Sequence, residues 1–241
     1  KAGEREPVKL MLLGDSITNG ENVDVPQEER QGCRKLLSEK LAEDPARRFV
    51  FVGSLKAKNG TDEDTALYRH EGHSGWLAVD IYKRPDFPGL IDLVDGWLAK
   101  YTPDVVLCQV GTNDCAFAAG PSMSEESPYT EQSLAALKAR WNRFLDELCM
   151  HCGGKFVIAT VPPTTRTKCF SDWIDAMNRE IPLAVRRWQE KGRILVFANT
   201  NEAIAASTPE KGLSSDRVHL SQRGYAAMAE VYYRKLLELG I

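Results

Sequence analysis

The feature that most constrains the fold of this 241-residue chain is a repeated alternation of short apolar runs with longer amphipathic stretches. The apolar or β-rich runs occupy residues 8–13, 49–52, 104–110, 156–161 and 194–197. Helical apolar spacing occurs in residues 27–42, 90–100, 130–150, 172–190 and 221–239. Short buried strands that alternate with helices form parallel sheets covered on both faces. The pattern therefore predicts an α/β fold, a three-layer α/β/α sandwich around a five-stranded parallel sheet.

The composition favours one globular domain. Hydrophobic residues make up 43% of the chain and charged residues 27%, which excludes the disordered, fibrous and collagen-like classes. No segment recurs with a period of roughly 20 to 50 residues, so a repeat architecture is also excluded. We expect a single domain over residues 1–241, in which the polar, glycine-punctuated residues 54–75 form a long loop.

Charge and hydropathy exclude two classes of partner. The chain has 31 Lys and Arg against 34 Asp and Glu, and its net charge of -3 offers no basic field to phosphate backbones. The longest uncharged apolar stretches, such as residues 105–108, are far shorter than the ~18 residues that span a bilayer. We expect neither nucleic acid binding nor a membrane span. The polar first residues lack a secretion signal, as a trimmed chain also would, and the sequence predicts no oligomeric state.

Chemically versatile residues follow the predicted strands. Ligands of open parallel sheets bind beyond the carboxyl ends of the strands. Residues 14–16 follow the first run, residues 72–75 lie in the loop after the second, residues 111–114 follow the third and residues 216–219 follow the fifth. We therefore expect all four segments to meet at one edge of the sheet.

A serine and a histidine in these segments are candidates for nucleophilic catalysis. A serine hydroxyl attacks efficiently only when a base takes its proton, and histidine is the usual base. Of the 4 histidines, His219 has a carboxylate, Asp216, three residues upstream that could orient its ring. Ser16 could equally be a helix N-cap and His219 a surface turn residue. His151 falls late in an amphipathic helix and is expected at the surface.

Two further residues could stabilise negative charge on a reacting carbonyl oxygen. Gly75 offers a backbone amide that a substrate can approach closely, and Asn113 offers a side-chain amide. Each could instead be an ordinary turn residue. Taken together with Ser16, His219 and Asp216, however, they complete the set that acyl transfer requires.

The four segments resemble the conserved blocks of the SGNH (GDSL-type) hydrolase superfamily. The matching residues are Gly14-Asp15-Ser16-Ile17-Thr18, Gly75, Gly111-Thr112-Asn113-Asp114 and Asp216-Arg217-Val218-His219. The amino-acid sequences of residues 14–20 and 70–76 are similar to those of carbohydrate esterases of the acetyl xylan esterase type in carbohydrate esterase family 3. The resemblance covers nearly the whole chain and implies a flavodoxin-like SGNH hydrolase fold that needs no metal or cofactor.

The same resemblance implies a role for each matching residue. Ser16 would be the nucleophile, His219 the base and Asp216 the orienting acid. The amides of Ser16 and Gly75 and the side chain of Asn113 would form the oxyanion hole. The implied substrates are small acyl esters, above all O-acetyl groups on a plant polysaccharide such as xylan, and the implied location is outside the cell. An esterase, thioesterase or lysophospholipase for lipid acyl groups, or a non-catalytic carbohydrate-binding relative, remains an alternative.

Substrate contacts are predicted less closely. Asp15, His73 and Trp76 lie in or beside the blocks and are candidate substrate-binding residues, although His73 and His70 could instead brace the loop that presents Gly75. Residues 115–129 are expected to be a loop that shapes the substrate site. Aromatic residues near the predicted mouth could stack on sugar rings or simply pack: Trp76, Phe117, Tyr129 and Trp173.

Other motifs in the chain carry weaker hypotheses. Residues 72–76 lack the final glycine of a nucleophile elbow around Ser74, and no Gly-Lys-Ser/Thr follows Gly14 to make a phosphate loop. His70 and His73 are three apart, which does not match the helical His-Glu-x-x-His zinc frame. Cys149 and Cys152 have CxxC spacing without a second pair. We expect most of the 6 cysteines to be buried thiols, with a local disulfide as the alternative for that pair.

Overall fold

A computed structural model describes residues 6–56, 68–119, 131–207 and 212–241. It has a parallel sheet with helices on both faces. The strands are β1 (Val8–Gly14), β2 (Phe49–Phe51), β3 (Glu71–Gly72), β4 (Val105–Gln109), β5 (Lys155–Ala159) and β6 (Leu195–Ala198). The main sheet has the order β2-β1-β4-β5-β6, and every pairing is parallel. The predicted three-layer fold with five main strands is confirmed.

The sixth strand, β3, was not predicted. Its Glu71 and Gly72 pair with Leu13 and Gly14 at the carboxyl end of β1. A glutamate followed by a glycine carries no hydrophobic periodicity, so this strand fell within residues 54–75, which were expected to be a loop. The pairing matters because it fixes the start of the segment that contains Gly75 beside the end of β1.

The helices begin and end close to their predicted bounds where they are long and amphipathic. They are α1 (Ser16–Asn19), α2 (Arg34–Ala42), α3 (Val94–Tyr101), α4 (Thr112–Ala118), α5 (Glu131–His151), α6 (Lys168–Glu190), α7 (Thr200–Ala206) and α8 (Gln222–Glu238). Short 3₁₀ turns at Gln27–Glu29 and Leu90–Asp92 take up the first residues of two predicted helices. In the first case Gly32, with φ of +60°, separates the turn from α2.

Three short helices, α1, α4 and α7, escaped prediction because each has too few turns to show an apolar period. Helix α4 corrects the expectation of a loop at residues 115–129, since it extends through Ala118. The rest of that segment, residues 120–129, lies outside the described residues. Helices α1 and α4 follow β1 and β4 directly and thus start at the carboxyl edge of the sheet.

Two hydrophobic clusters cover the faces of the sheet. Alternate residues of one strand point to opposite faces, so Met11 and Leu13 pack with α3, α5 and α6 while Leu10 and Leu12 pack with α2 and α8. All four of these side chains are almost fully buried. The central strands are therefore fixed on both sides, and the loops at their carboxyl ends start from a rigid base. None of the described helices has the length and apolar character to cross a bilayer.

Candidate active site

Ser16 is the first residue of α1, directly beyond the end of β1. The helix is capped by Asp15, whose Oδ1 accepts a hydrogen bond from the Ile17 amide at 3.0 Å. The backbone at Gly14 lies very close to β4, and a Cβ at Gly14 would be only 1.7 Å from the carbonyl oxygen of Gln109. Only glycine fits there, and Ser16 is consequently held at the sheet edge with 6% of its surface exposed.

The side chains of Ser16, His219 and Asp216 form a continuous hydrogen-bonded series. His219 Nε2 lies 3.0 Å from Ser16 Oγ, and His219 Nδ1 lies 2.6 Å from Asp216 Oδ2. The structure thus brings together residues that are 203 positions apart in the sequence. This spacing is within the range in which a base accepts the proton of a nucleophile.

A closed turn holds Asp216 and His219. The Ser214 amide donates to the His219 carbonyl at 2.8 Å, and Leu213 pairs with Leu220 across the base of the turn. Asp216 Oδ1 accepts from the amides of Val218 and His219, each at 2.9 Å. The carboxylate therefore organises its own turn with one oxygen and orients the imidazole with the other.

The environment keeps Asp216 ionised. Partial burial raises its pKa, but the hydrogen bonds from the His219 ring and from two backbone amides outweigh that effect. The net result is a pKa lowered to about 2. Asp216 is hence an anion throughout the neutral and mildly acidic range, where it favours the tautomer of His219 that carries its proton on Nδ1.

Gly75 and Asn113 lie in adjoining segments. Gly75 is the third residue of a turn closed by the Trp76 amide on the His73 carbonyl at 3.2 Å, and its φ of +81° matches the corresponding position of a type II turn. Asn113, in the first turn of α4, donates its Nδ2 to the Trp76 carbonyl at 2.9 Å. A side-chain amide nitrogen carries two hydrogens, so among the described residues one hydrogen of Asn113 is left for another acceptor.

Asp15 links these segments but cannot contact substrate as expected. Its side chain is completely buried, and its Oδ2 accepts from the Thr112 amide at 3.2 Å. Burial raises the pKa of Asp15, whereas the hydrogen bonds from Ile17 and Thr112 lower it less strongly, so the net shift is upward. Asp15 joins the end of β1 to the start of α4, and the prediction of a substrate contact is corrected.

The ring of His73 is held by contacts with other side chains of the protein. Its ring is stacked between Trp76 and Trp97, with centroid distances of 4.3 and 4.6 Å, and its Nε2 lies 2.9 Å from Glu71 Oε2. The same ring stack uses one face of the half-buried Trp76. His70 is fully buried and its Nδ1 accepts from the Gly72 amide. The two histidines therefore brace the segment before Gly75, which is the alternative that the sequence left open for them, and a substrate contact of His73 stays a prediction.

The candidate stacking residues differ in exposure. Trp173 is fully buried in α6, which fits the packing alternative for this residue, and Tyr129 lies outside the described residues. Phe117 is 37% exposed and its ring lies 5.0 Å from that of Tyr82. Phe87, also exposed, completes a group that sequence reasoning missed, because residues 81–87 have no regular structure and no motif.

Asp114 was likewise missed as an individual site residue. It is buried on α4, and both of its carboxyl oxygens lie within 3.2 Å of the Ala78 amide. Burial raises the pKa of Asp114 to about 7, helped by the nearby charge of Asp15. The carboxyl thus fixes the chain three residues beyond Gly75.

The remaining predictions for cysteine and histidine can also be compared with the structure. All six cysteines are buried thiols outside any disulfide, as expected. Burial raises the pKa of Cys149 to about 12 and also raises that of Cys152. His151 is the last residue of α5, where its exposed ring lies 3.1 Å from Glu147. The prediction of a surface histidine is confirmed.

Comparison with known proteins adds a decisive observation. The model of the GDSL-like Lipase/Acylhydrolase family matches residues 12–227, a range that contains every residue of the hydrogen-bonded series. The chain belongs to the GDSL-like lipase/acylhydrolase family. The family is one of lipases and acylhydrolases.

Individual relatives of this GDSL-family hydrolase include both a curated protein and solved structures. A multidomain esterase of Ruminococcus flavefaciens is 25% identical over 253 residues, which cover 95% of this chain and 28% of that protein. A family 3 carbohydrate esterase of Clostridium thermocellum is 22% identical, with 97% of each chain covered and a TM-score of 0.65. A variant of an acetyl xylan esterase from Geobacillus stearothermophilus is 17% identical, covering 97% of this chain and 96% of that one, also with a TM-score of 0.65. At these identities the two structures establish the fold.

Proposed function

We propose that this GDSL-family chain is a serine esterase that removes small acyl groups, above all acetyl groups, from a polysaccharide such as xylan. The observation that carries the proposal is the series Asp216–His219–Ser16, with separations of 2.6 and 3.0 Å. It provides a nucleophile, a base and an orienting carboxylate within direct reach of one another.

The reaction would proceed in two halves. His219 Nε2 takes the proton from Ser16 as Oγ attacks the ester carbonyl, and the tetrahedral intermediate collapses when His219 returns that proton to the leaving alcohol. A water molecule then gives its proton to His219 and attacks the acyl-enzyme. The acid is released, and the proton returns to Ser16. Asp216 stabilises the imidazolium in each half, because its lowered pKa keeps it charged.

The oxyanion of each tetrahedral intermediate would be held by three donors. These are the backbone amides of Ser16 and Gly75 and the second hydrogen of Asn113 Nδ2. The amide of Ser16 lies at the start of α1, where unpaired N–H groups favour negative charge. Gly75 and Asn113 are linked through the Trp76 carbonyl, which supports a fixed arrangement of the two donors.

The acetyl and polysaccharide parts of the proposal rest on the relatives. Two structural neighbours with the same fold are a family 3 carbohydrate esterase and an acetyl xylan esterase. The amino-acid sequence of residues 14–20 and 70–76 supports the same substrate class. Exposed rings of Tyr82, Phe87 and Phe117 could pack against sugars, which suits a polymeric alcohol.

Acetate release from acetylated xylan tests the proposal, alongside nitrophenyl acetate, butyrate and octanoate. We expect acetate release that disappears in Ser16→Ala, and a kcat/KM at least about tenfold higher for the acetyl than for the octanoyl ester, because each misfitted methylene costs ~1 kcal/mol or more. Preference for octanoate would indicate a lipid acylhydrolase. Binding to xylan without turnover of any ester would indicate a carbohydrate-binding relative. Either result contradicts the proposal.

A further inference from the structure

Arg84 lies outside every motif of the sequence, yet it contacts the peptide that follows the candidate oxyanion donor. Its Nη1 donates to the carbonyl of Gly75 at 2.9 Å. The N–H of that same peptide, from Trp76, donates to His73 at 3.2 Å. The Gly75–Trp76 peptide is thereby held at both its oxygen and its nitrogen. This matters because residues 73–89 contain no helix or strand to fix it.

The guanidinium is itself held from several sides. Asp80 accepts from Arg84 Nε at 3.3 Å and from the Arg84 amide at 2.8 Å. The aromatic rings of Phe87 and Phe117 lie 5.1 and 4.9 Å from the guanidinium carbon, distances at which a cation is attracted to a ring. Phe87 also supports Gly75 directly, since a Cβ on Gly75 would lie 2.9 Å from the Phe87 ring.

The arginine combines these favourable contacts with one unfavourable feature. Arg84 Nη2 is buried and has no hydrogen-bond partner within the described ranges. A buried donor without a partner is costly, and an unbranched apolar side chain between two phenylalanine rings would avoid that cost. An apolar side chain would also lose the hydrogen bond to the Gly75 carbonyl, the ion pair with Asp80 and the attraction of the charge to the two rings. Of these contacts, the hydrogen bond to the Gly75 carbonyl is the one that acts on the peptide next to the candidate oxyanion donor.

We infer that Arg84 is a positioning residue for the oxyanion hole: it fixes the Gly75–Trp76 peptide and, through it, both the Gly75 amide and the Asn113 side chain. The N–H of Gly75 belongs to the preceding peptide. Its direction relative to the Gly75–Trp76 peptide is set by the backbone angles φ and ψ of Gly75. The Trp76 carbonyl, one residue on, holds Asn113 Nδ2 at 2.9 Å. One arginine therefore controls two donors without touching the substrate. The inference rests on the proposed serine mechanism.

Substitution of Arg84 tests this role with nitrophenyl acetate. We expect Arg84→Ala to lower kcat about tenfold while KM changes less than about twofold, since misplacement costs less than deletion of a donor, which costs ~10² to 10³. Guanidinium chloride at millimolar concentration should restore part of the rate. Arg84→Met, which keeps an unbranched side chain between the two rings, should lose kcat similarly. Arg234→Ala, whose side chain is 72% exposed and pairs with Glu230, is the control and should show neither effect.

A double-mutant cycle separates this inference from the mechanism on which it rests. If Arg84 acts through Asn113 and Gly75, the double variant Arg84→Ala/Asn113→Ala should be less impaired than the product of the two single losses. Strictly multiplicative losses, or a normal kcat in Arg84→Ala and Arg84→Met, would overturn the positioning role while leaving the serine mechanism intact. Full activity of Ser16→Ala would instead overturn the mechanism itself.

Discussion

The two halves of the candidate site are held in different ways. Ser16, Asp216 and His219 lie in short local structures that their own neighbours stabilise: the cap by Asp15 and the turn organised by Asp216 Oδ1. Gly75 lies in an irregular segment whose shape depends on distant side chains. The attacking half, which consists of Ser16, Asp216 and His219, is therefore fixed mainly by contacts with neighbouring residues. The oxyanion half, which contains Gly75, depends on contacts with residues distant in the sequence. We expect mutations in the first half to abolish chemistry and mutations in the second to weaken it by degrees.

Ser16→Ala should have the largest effect. Without the hydroxyl no acyl-enzyme forms, and the rate on nitrophenyl acetate should fall by at least about 10⁴-fold. Steady-state kinetics measures the loss, and Ser171→Ala, a serine in α6, is the matched control. A Ser16→Ala enzyme whose rate is within tenfold of the wild-type rate would show that Ser16 is not the nucleophile.

Asp216→Asn should come next, with a loss of about 10³ to 10⁴-fold in kcat, because asparagine favours the wrong tautomer of His219. In the wild type, the lowered pKa of Asp216, about 2, keeps this group charged above about pH 4. Protonation of Asp216 should therefore add nothing to the acidic fall of kcat/KM above that pH, and the slope of the fall should be at most one. A slope of two above pH 4, or an Asp216→Asn enzyme with normal kcat, would contradict this assignment.

Asn113→Ala should lower kcat by about 10² to 10³-fold, with little change in KM, since the bond it removes strengthens only in the transition state. Asn142→Ala is the control for loss of a side-chain amide, because Asn142 lies on α5 and its amide forms hydrogen bonds with Glu180 and Arg187 on α6. A loss as complete as that of Ser16→Ala, or no loss at all, would remove the distinction between the two halves.

Asp114→Asn should have the smallest effect on activity and a visible effect on stability. The folded protein holds the Asp114 proton more tightly than the unfolded chain, with a pKa raised to about 7 from 3.8. The wild type should therefore lose stability as the pH rises from about 4 to about 7. Urea unfolding at several pH values should show a smaller decline in Asp114→Asn, whose amide oxygen can still accept from Ala78. Exposed Asp95→Asn should leave the decline unchanged, and an equal decline in Asp114→Asn would refute the argument.

The same contrast explains how much was predictable from the sequence. The five main strands and the long helices followed from apolar periodicity, and Ser16, Asp216 and His219 followed from contiguous motifs. Strand β3 consists of only a glutamate and a glycine and has no periodic signal. The contacts of Arg84 and Asp114 with the Gly75 segment join residues that no local pattern connects. Asp15 was assigned to substrate because a motif shows residue type but not burial.

Covalent trapping tests the central claim most directly, because the claim is that Ser16 forms an acyl-enzyme. The chain would be mixed with nitrophenyl acetate, quenched in acid within milliseconds and digested, and the peptides would be analysed by mass spectrometry. The account predicts an acetyl group on Ser16 that builds up in Asn113→Ala only slowly and is absent from Ser16→Ala. Turnover with the acetyl group on another side chain, or undiminished turnover in Ser16→Ala, would contradict it.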